Sequence, residues 1–154
     1  MTLIHIPGSV PSSKNSRMMT SSGLFIASKA TQKFRKTTAW YWKMHKEAFL
    51  KTIANKPKPY LIGMHFVRST KHAFDFNNPC QTIQDEMVKH GWLTDDNMLE
   101  MVPVPLKINN RYYSIDKANC GVYIAVLDDL GTEPITLKYL KHNGITEENT
   151  DTDT

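Results

Sequence analysis

Apolar residues recur along the chain with two spacings, one typical of strands and one typical of helices. Residues 3–6 and 23–27 are short apolar runs beside turn-forming residues, and each run predicts a strand. Ser28 is a favoured N-cap, and apolar side chains follow it at helical spacing as far as about Asn55. The opposite side of this predicted first helix is basic and carries Lys29, Lys33, Lys36 and Lys43 together with Trp40. That side is either a solvated surface or one that contacts phosphates.

A second pair of elements follows the first helix. Residues 60–68 are apolar on both faces, which predicts a strand in the centre of a sheet. Asn78 with Pro79 directly after it predicts the start of a second helix, and Gly91 predicts its end after His90. The chain is therefore expected to pass from a buried strand into an amphipathic helix.

The remaining part of the chain predicts two more strands and a polar end. Residues 98–108 are extended but contain two prolines, which restricts them to the edge of a sheet. Residues 122–127 are apolar throughout and predict a buried strand. The predicted fold class is α/β (α+β), with a small mixed sheet packed against two main helices. Residues 1–130 would form one domain, and residues 131–154 an acidic C-terminal extension that is disordered at its end.

Length and composition agree with a single domain. The chain has 154 residues, of which 40% are hydrophobic, and no apolar run approaches the length of a membrane span. Its N-terminus lacks the charged and apolar regions of a signal peptide. Cys80 and Cys120 are the only cysteines, and they fit neither a disulfide framework nor a zinc site. We therefore expect reduced thiols, a cytoplasmic location and no membrane partner.

The net charge of +4 conceals two regions of opposite sign. Residues 1–127 contain 17 Lys and Arg against 8 Asp and Glu, whereas residues 128–154 contain 2 against 7. A basic body is typical of a protein that binds a polyanion such as nucleic acid. It is equally compatible with a soluble basic protein that has no such partner.

The acids of the basic body are concentrated in one stretch of 22 residues, which contains Asp75, Asp85, Glu86, Asp95 and Asp96. A metal-dependent nuclease requires this combination, because carboxylates hold the cation while Lys and Arg hold the phosphates. The combination therefore favours a nuclease among the proteins that bind polyanions.

Three side chains of this stretch form a candidate cation site. Asp75 and Asn77 are two residues apart on a segment predicted to be extended, so both should point to the same side. Asp96 follows the second helix, and it joins them if the two ends of that helix meet beside the sheet. Oxygen ligands suit Mg²⁺ or Mn²⁺. A turn with a helix cap at Asp75 and an exposed loop at residues 95–97 would explain the same residues without a metal.

The order of these residues resembles the RusA family of phage and prophage Holliday junction resolvases. The N-terminal signature of that family is matched loosely by Val10-Pro11-Ser12-Ser13-Lys14-Asn15. Its central signature is similar, without a gap, to Asp75-Phe76-Asn77-Asn78-Pro79-Cys80-Gln81 followed by Asp85, Gly91 and Asp95-Asp96. The similarity covers about residues 3–127, so the C-terminal extension lies outside it.

The resemblance implies a homodimer that cuts four-way DNA junctions in recombination and repair, with Mg²⁺ or Mn²⁺ as cofactor, in a bacterial or phage-infected host cell. It also implies that Asp75, Asn77 and Asp96 are catalytic metal ligands, with Asp95 beside them. Two positions depart from the family pattern. Asn77 replaces an Asp, and Gln81 replaces the Lys that assists at the phosphate. One negative and one positive group are lost, so the net charge of the site is unchanged.

Several basic residues are candidate DNA contacts. Arg68, Lys71 and His72 resemble a basic run of the family directly before the first Asp, and we interpret them as phosphate contacts. Further candidates are Lys14 and Arg17 in the first loop and Lys33 and Lys36 on the first helix.

Phe74 and Phe76 flank Asp75 and have two possible roles. One is to wedge into the crossover of a junction, where bases are easily unstacked. The other is an ordinary core contact.

Three hypotheses follow. The first is a metal-dependent endodeoxyribonuclease for four-way or other branched DNA. The second is a weakened or inactive branched-DNA-binding protein of the same fold, since Asn77 and Gln81 alter the expected site. The third is a small interaction protein whose basic face binds an acidic protein.

Overall fold

The computed structural model describes residues 1–12, 17–131, 137–141 and 144–147. The elements in chain order are β1 Leu3–Pro7, β2 Arg17–Met19, β3 Phe25–Ala27, α1 Lys29–Ile53, β4 Tyr60–Arg68, α2 Asn77–Lys89, β5 Met101–Pro105, β6 Tyr113–Ile115, β7 Gly121–Leu127, β8 Leu137–Lys141 and β9 Gly144–Glu147. Lys14, which is a predicted DNA contact, lies outside the described residues.

Five strands form the main sheet, and their directions are mixed. The order is β1-β7-β4-β5, and β6 also pairs with β4. The β1–β7 and β7–β4 pairs are antiparallel, whereas β5 and β6 both run parallel to β4. The predicted fold class is therefore confirmed, with β4 in the centre and the proline-containing β5 at the edge.

The connection from β4 to β5 contains α2. Parallel neighbours require a long crossover, and here it occupies residues 69–100. Tyr60 pairs with Met101, so α2 must return along the sheet from the end of β4 towards its beginning. With 13 residues, α2 is about 20 Å long. The segments that hold Asp75 and Asp96 therefore join opposite ends of this helix.

One hydrophobic core joins both helices to one face of the sheet. Alternate residues of β4 share this core with α1 and α2, and its largest members include Phe66, Trp42, Phe49, Met87 and Trp92. Trp92 packs edge-on against Trp42 at 5.0 Å, and its Nε1 donates to the Trp42 carbonyl at 3.0 Å. Burying each such side chain contributes about 1.5–3 kcal/mol.

The chain after β5 covers the second face of β4. The buried His65 imidazole donates from Nδ1 to the Leu106 carbonyl at 2.8 Å, and its Nε2 accepts from the Ser114 hydroxyl at 2.7 Å. Between these partners, Asn109 and Asn110 have φ of 49° and 62°, as a tight turn requires. Asn109 and Asn110 therefore form a turn, and His65 is a buried histidine with both ring nitrogens hydrogen-bonded.

The first helix follows the predicted pattern closely. The Ser28 hydroxyl accepts from the Thr31 backbone N–H at 3.2 Å, as expected of an N-cap. Phe34, Trp42 and Phe49 are buried, whereas all four predicted lysines are exposed. Trp40 lies among those lysines and is 62% exposed. The basic side of α1 is therefore open to solvent in the described chain.

The second helix begins earlier than predicted. Phe76 already has helical φ and ψ of −52° and −40°, and the Cys80 N–H donates to its carbonyl at 3.1 Å. Asn78 does not cap the helix, because its side chain donates to Asp75 instead, at 3.3 Å. The predicted end is confirmed, since Gly91 adopts a positive φ of 74° directly after the helix.

Two short pairs of strands were not predicted as such. Of the β2–β3 hairpin only the second strand was expected, because three residues carry too little periodicity. Strands β8 and β9 pair antiparallel inside the predicted C-terminal extension, whose end at 148–154 lies outside the described residues. Within the described ranges, neither helix has the length and apolar character to cross a membrane. Cys80 and Cys120 are free thiols, as predicted.

Candidate nucleic-acid and metal site

An exposed row of oxygen-bearing side chains runs along α2. Asn77, Gln81 and Asp85 are spaced four residues apart, and all three are exposed. Residues at this spacing are neighbours on one side of a helix, with Cβ atoms about 5–6 Å apart. We call these three residues the α2 row. They are the three positions of the central signature that the structure places on one surface.

The charge of Asp96 acts on Asp85, the last member of the α2 row. The pKa of the Asp85 carboxyl is raised, first because the group is partly withdrawn from water and second because the negative Asp96 lies near it. The charge of Asp96, in the loop after α2, is therefore within electrostatic reach of the row. Asp85 had been part of the motif, but no role had been predicted for it.

Asp95 has a different task from its neighbour. Its carboxylate accepts from the Asp96 backbone N–H at 2.7 Å and from the Asn97 amide at 2.8 Å. These hydrogen bonds stabilise the charged form and hold the pKa of Asp95 below its usual range. Asp95 therefore shapes the loop that presents Asp96.

A polar cavity of about 280 Å³ opens beside Asp85, between the β2–β3 hairpin and the two helices. We call it the arginine pocket, and its lining residues are Arg17, Phe25, Ile26, Ala27, Thr31, Arg35, Thr82 and Asp85. Both arginines lower the pKa of Asp85 in opposition to burial and Asp96. The pocket thus combines two guanidinium groups with one carboxylate.

A buried glutamate orients Arg35. Glu86 is only 1% exposed, and its Oε1 accepts from the Arg35 Nε at 3.0 Å. Its second oxygen lies 3.2 Å from the Nε2 of His90, whose ring stacks on Trp42. Because Glu86 accepts a hydrogen bond from Nε, the Arg35 guanidinium is held in a fixed position at the wall of the pocket. A charge at this depth is tolerated because it is paired.

Arg35 was not predicted as a functional residue, although its position on the first helix indicated one. On the helical wheel Arg35 lies on the side of Thr31 and Trp42, both buried, rather than with the four exposed lysines. An arginine on the apolar side of a helix requires an acidic partner. The partner itself was not predictable, since Glu86 is 51 residues away.

The prediction that Asp75 and Asn77 share one side of an extended segment is wrong. Phe76 between them is helical, and residues two apart on a helix do not face each other. The Asp75 carboxylate accepts from the Asn78 amide at 3.3 Å, at the positive end of the α2 dipole. Asp75 therefore acts in the start of the helix, and Asn77 belongs to the exposed row.

The predicted metal site requires several oxygen ligands close together. Among the described residues, no three His, Cys, Asp or Glu side chains form a group that could hold a metal ion. The three carboxylates of the predicted metal set Asp75, Asn77, Asp95 and Asp96 are thus not grouped together. Asp85 and Asp96, which are within electrostatic reach of each other, remain as candidate ligands. This set fits Mg²⁺, which commonly takes one or two carboxylates and keeps several waters.

The predicted DNA contacts divide into three groups. Arg17 lines the arginine pocket. Arg68, Lys71 and His72 lie at the end of β4 and in the loop before α2, where Lys71 and His72 are exposed. Lys33 and Lys36 are exposed on the outer side of α1.

Phe74 and Phe76 are core contacts rather than free wedges. Both are partly buried, and their rings lie 6.4 Å and 5.7 Å from the buried Phe66 ring in edge-on arrangements. The wedge interpretation is therefore not supported for either residue.

No family model matches this chain, and no curated protein matches it.

Proposed function

We propose that the protein is an endodeoxyribonuclease that hydrolyses phosphodiester bonds in branched DNA, with four-way junctions as its substrate and Mg²⁺ or Mn²⁺ as its cofactor. One observation carries the proposal: Asp85 lines a polar pocket together with two arginines, and a second acid, Asp96, is within electrostatic reach of it. The resemblance of the motif to junction resolvases supplies the substrate class.

The arginine pocket suits a phosphate group of the DNA backbone. A guanidinium presents a planar fork of donors that matches phosphate oxygens, and its charge does not depend on pH. Arg35 is anchored by Glu86, so it loses little conformational freedom when it binds. A phosphate held by Arg17 and Arg35 would lie next to Asp85, which lines the same cavity.

The carboxylate pair would hold the cation. Asp96 and Asp85 would each offer an oxygen, whereas Asn77, two helical turns or about 12 Å away along α2, would contact the cation through a water rather than directly. When bound, Mg²⁺ or Mn²⁺ polarises a phosphate oxygen and lowers the pKa of a water. Gln81 would donate a hydrogen bond from its amide to a phosphate oxygen, where the family uses a charged lysine.

A homodimer matches a four-way junction by symmetry. A two-fold dimer presents the same surface twice, and a junction offers two equivalent cleavage points. The excess of Lys and Arg in residues 1–127 supports attraction to DNA irrespective of its sequence. We propose this assembly together with the activity.

The direct test incubates the full chain with an end-labelled four-way junction in Mg²⁺ and, separately, in Mn²⁺. We expect paired nicks placed symmetrically about the crossover. Asp96→Asn should reduce the cleavage rate at least about a hundredfold, because it removes a ligand of the metal ion. Binding should be preserved, because no Lys or Arg that contacts DNA is removed. Asp129→Asn, an exposed acid outside the site, is the matched control and should cut normally. Absence of nicks with both metals would refute the activity.

A second candidate is a protein that binds junctions without cutting them. Two features favour it: Asn77 and Gln81 are neutral, and the described residues contain no group of three potential metal ligands among His, Cys, Asp and Glu. It predicts tight, salt-sensitive binding of intact junctions. Asn77→Asp combined with Gln81→Lys should then create cleavage. If this double variant remains inactive, the two replacements do not account for the lack of activity.

A further inference from the structure

An open cavity of about 460 Å³ lies at the end of β4, next to the start of α2. We call it the aromatic basin, and its lining residues are Ala73, Phe74, Phe76, Pro105, Tyr112 and Tyr113. Four of these six residues carry aromatic rings. Such a concentration of rings around one open cavity requires an explanation, because apolar rings are normally turned away from water.

One wall of the basin is rigid and the other is exposed. Phe74 and Phe76 are held from behind by the buried Phe66, and Phe74 also meets Tyr113 edge-on at 5.2 Å. On the opposite side, Tyr112 and Tyr113 are 59% and 46% exposed. The basin therefore offers preformed ring surfaces to a flat ligand, and little rearrangement is needed to admit one.

Positive charges border the rings. The Arg68 guanidinium lies 4.4 Å from the centre of the Phe74 ring, and the Lys107 ammonium lies 5.4 Å from the centre of the Tyr112 ring. Arg111 adjoins the two tyrosines in a neighbouring cavity. An apolar peptide would gain nothing from these cations. A ligand that combines a flat ring with negative charge would use both features.

We infer that the aromatic basin binds a nucleobase that has left the base stack of DNA, with Arg68 and Lys107 contacting the adjoining phosphates. Stacking of an unpaired base on aromatic side chains, beside cations that contact the backbone, is how proteins bind single strands without sequence preference. The inference rests on the proposed function only in taking DNA as the ligand. Phe76 directly precedes Asn77, so the basin adjoins the beginning of the α2 row.

The basin would give the protein a means of selecting branched DNA. Bases at a crossover leave the stack more readily than bases inside a duplex, and only a displaced base can enter a cavity lined by rings. Phosphate contacts elsewhere would bind duplex and junction alike. The basin would therefore contribute selectivity, whereas the arginine pocket would contribute general affinity.

The test uses a short oligonucleotide with 2-aminopurine at one unpaired position, and the same probe fully paired in a duplex. We expect the protein to quench the unpaired probe on binding, because the base stacks on aromatic rings, and to leave the paired probe unchanged. Tyr112→Ala should weaken binding of the unpaired probe about tenfold and remove the quenching. Tyr112→Phe keeps the ring and should restore both.

Tyr60→Ala is the matched control. Tyr60 lies at the other end of β4 and also has a lysine beside its ring, with the Lys58 ammonium 5.9 Å from the ring centre. Its removal should leave quenching and affinity unchanged. Arg68→Gln should remove one phosphate contact. The slope of log affinity against log salt concentration should therefore fall by about one.

Two results would overturn the inference. One is unaltered affinity and quenching in Tyr112→Ala. The other is a dimer that dissociates on the same substitution in sedimentation, which would assign the basin to contact between two copies of the chain. A nuclease test that fails while the quenching survives would refute the proposed cleavage and leave the base-binding basin standing.

Discussion

The two cavities beside α2 are built from opposite chemistry. The arginine pocket is a polar cavity of about 280 Å³ whose central cation is anchored by a buried glutamate. The aromatic basin is larger, about 460 Å³, and is lined by four rings, of which Phe74 and Phe76 pack against the hydrophobic core. One is organised by charge and the other by packing. Their contrast teaches that the two cavities should respond to different substitutions, the first to loss of charge and the second to loss of a ring.

The largest expected effect is on stability and comes from below the arginine pocket. Glu86→Ala removes the buried partner of Arg35 and His90, so it should lower the free energy of unfolding by about 3 kcal/mol. Glu47→Ala breaks the exposed Glu47–Lys51 pair on α1 and should cost no more than about 0.5 kcal/mol. Urea denaturation of both variants measures the difference. Equal costs would mean that Glu86 does not anchor the pocket.

A smaller effect separates the two cavities by ligand. Arg35→Gln should weaken binding to duplex and single-stranded DNA alike, each about tenfold, because it removes charged hydrogen bonds to phosphate. Tyr112→Ala should weaken only the binding of unpaired bases. Fluorescence anisotropy with both probes measures the pattern, with Lys51→Gln as the control for loss of one positive charge. If the two variants behaved alike, the cavities would not have distinct roles.

The smallest expected effect is the pH dependence of the carboxylates at the pocket. Asp85 has a raised pKa, so its charged form destabilises the folded state above that pKa and has no effect below the usual carboxyl range. Asp85→Asn should therefore stabilise the protein at neutral pH, and the gain should vanish as the pH falls through that range. The measurement is the free energy of unfolding against pH, without divalent metal.

Asp95 should show the opposite sign. Its pKa is lowered by hydrogen bonds, so its stabilising contribution is present above the usual carboxyl value and is lost as the pH falls. Asp95→Asn should therefore destabilise the protein at neutral pH and have little effect in acid. Curves of the same sign for both variants would contradict the assigned roles of these two acids.

Local rules predicted the frame of the site well. Ser28 caps α1, Gly91 ends α2 with a positive φ, and β4 is central because both of its faces are apolar. Each result depends on residues within a few positions of one another. The failure at Asp75 and Asn77 is also local, since the helix begins two residues earlier than predicted and the Asn78 side chain bonds to Asp75.

What the sequence determined by itself was the order of the elements, the basic body and the group of acids around α2. Only the tertiary structure decided that Arg35 meets Glu86, that the charge of Asp96 acts on Asp85, and that Tyr113 faces Phe74. The physical reason is that caps, turns and periodicity act over one or two helical turns. Ion pairs and ring contacts between distant segments depend on how the crossover helix lies on the sheet.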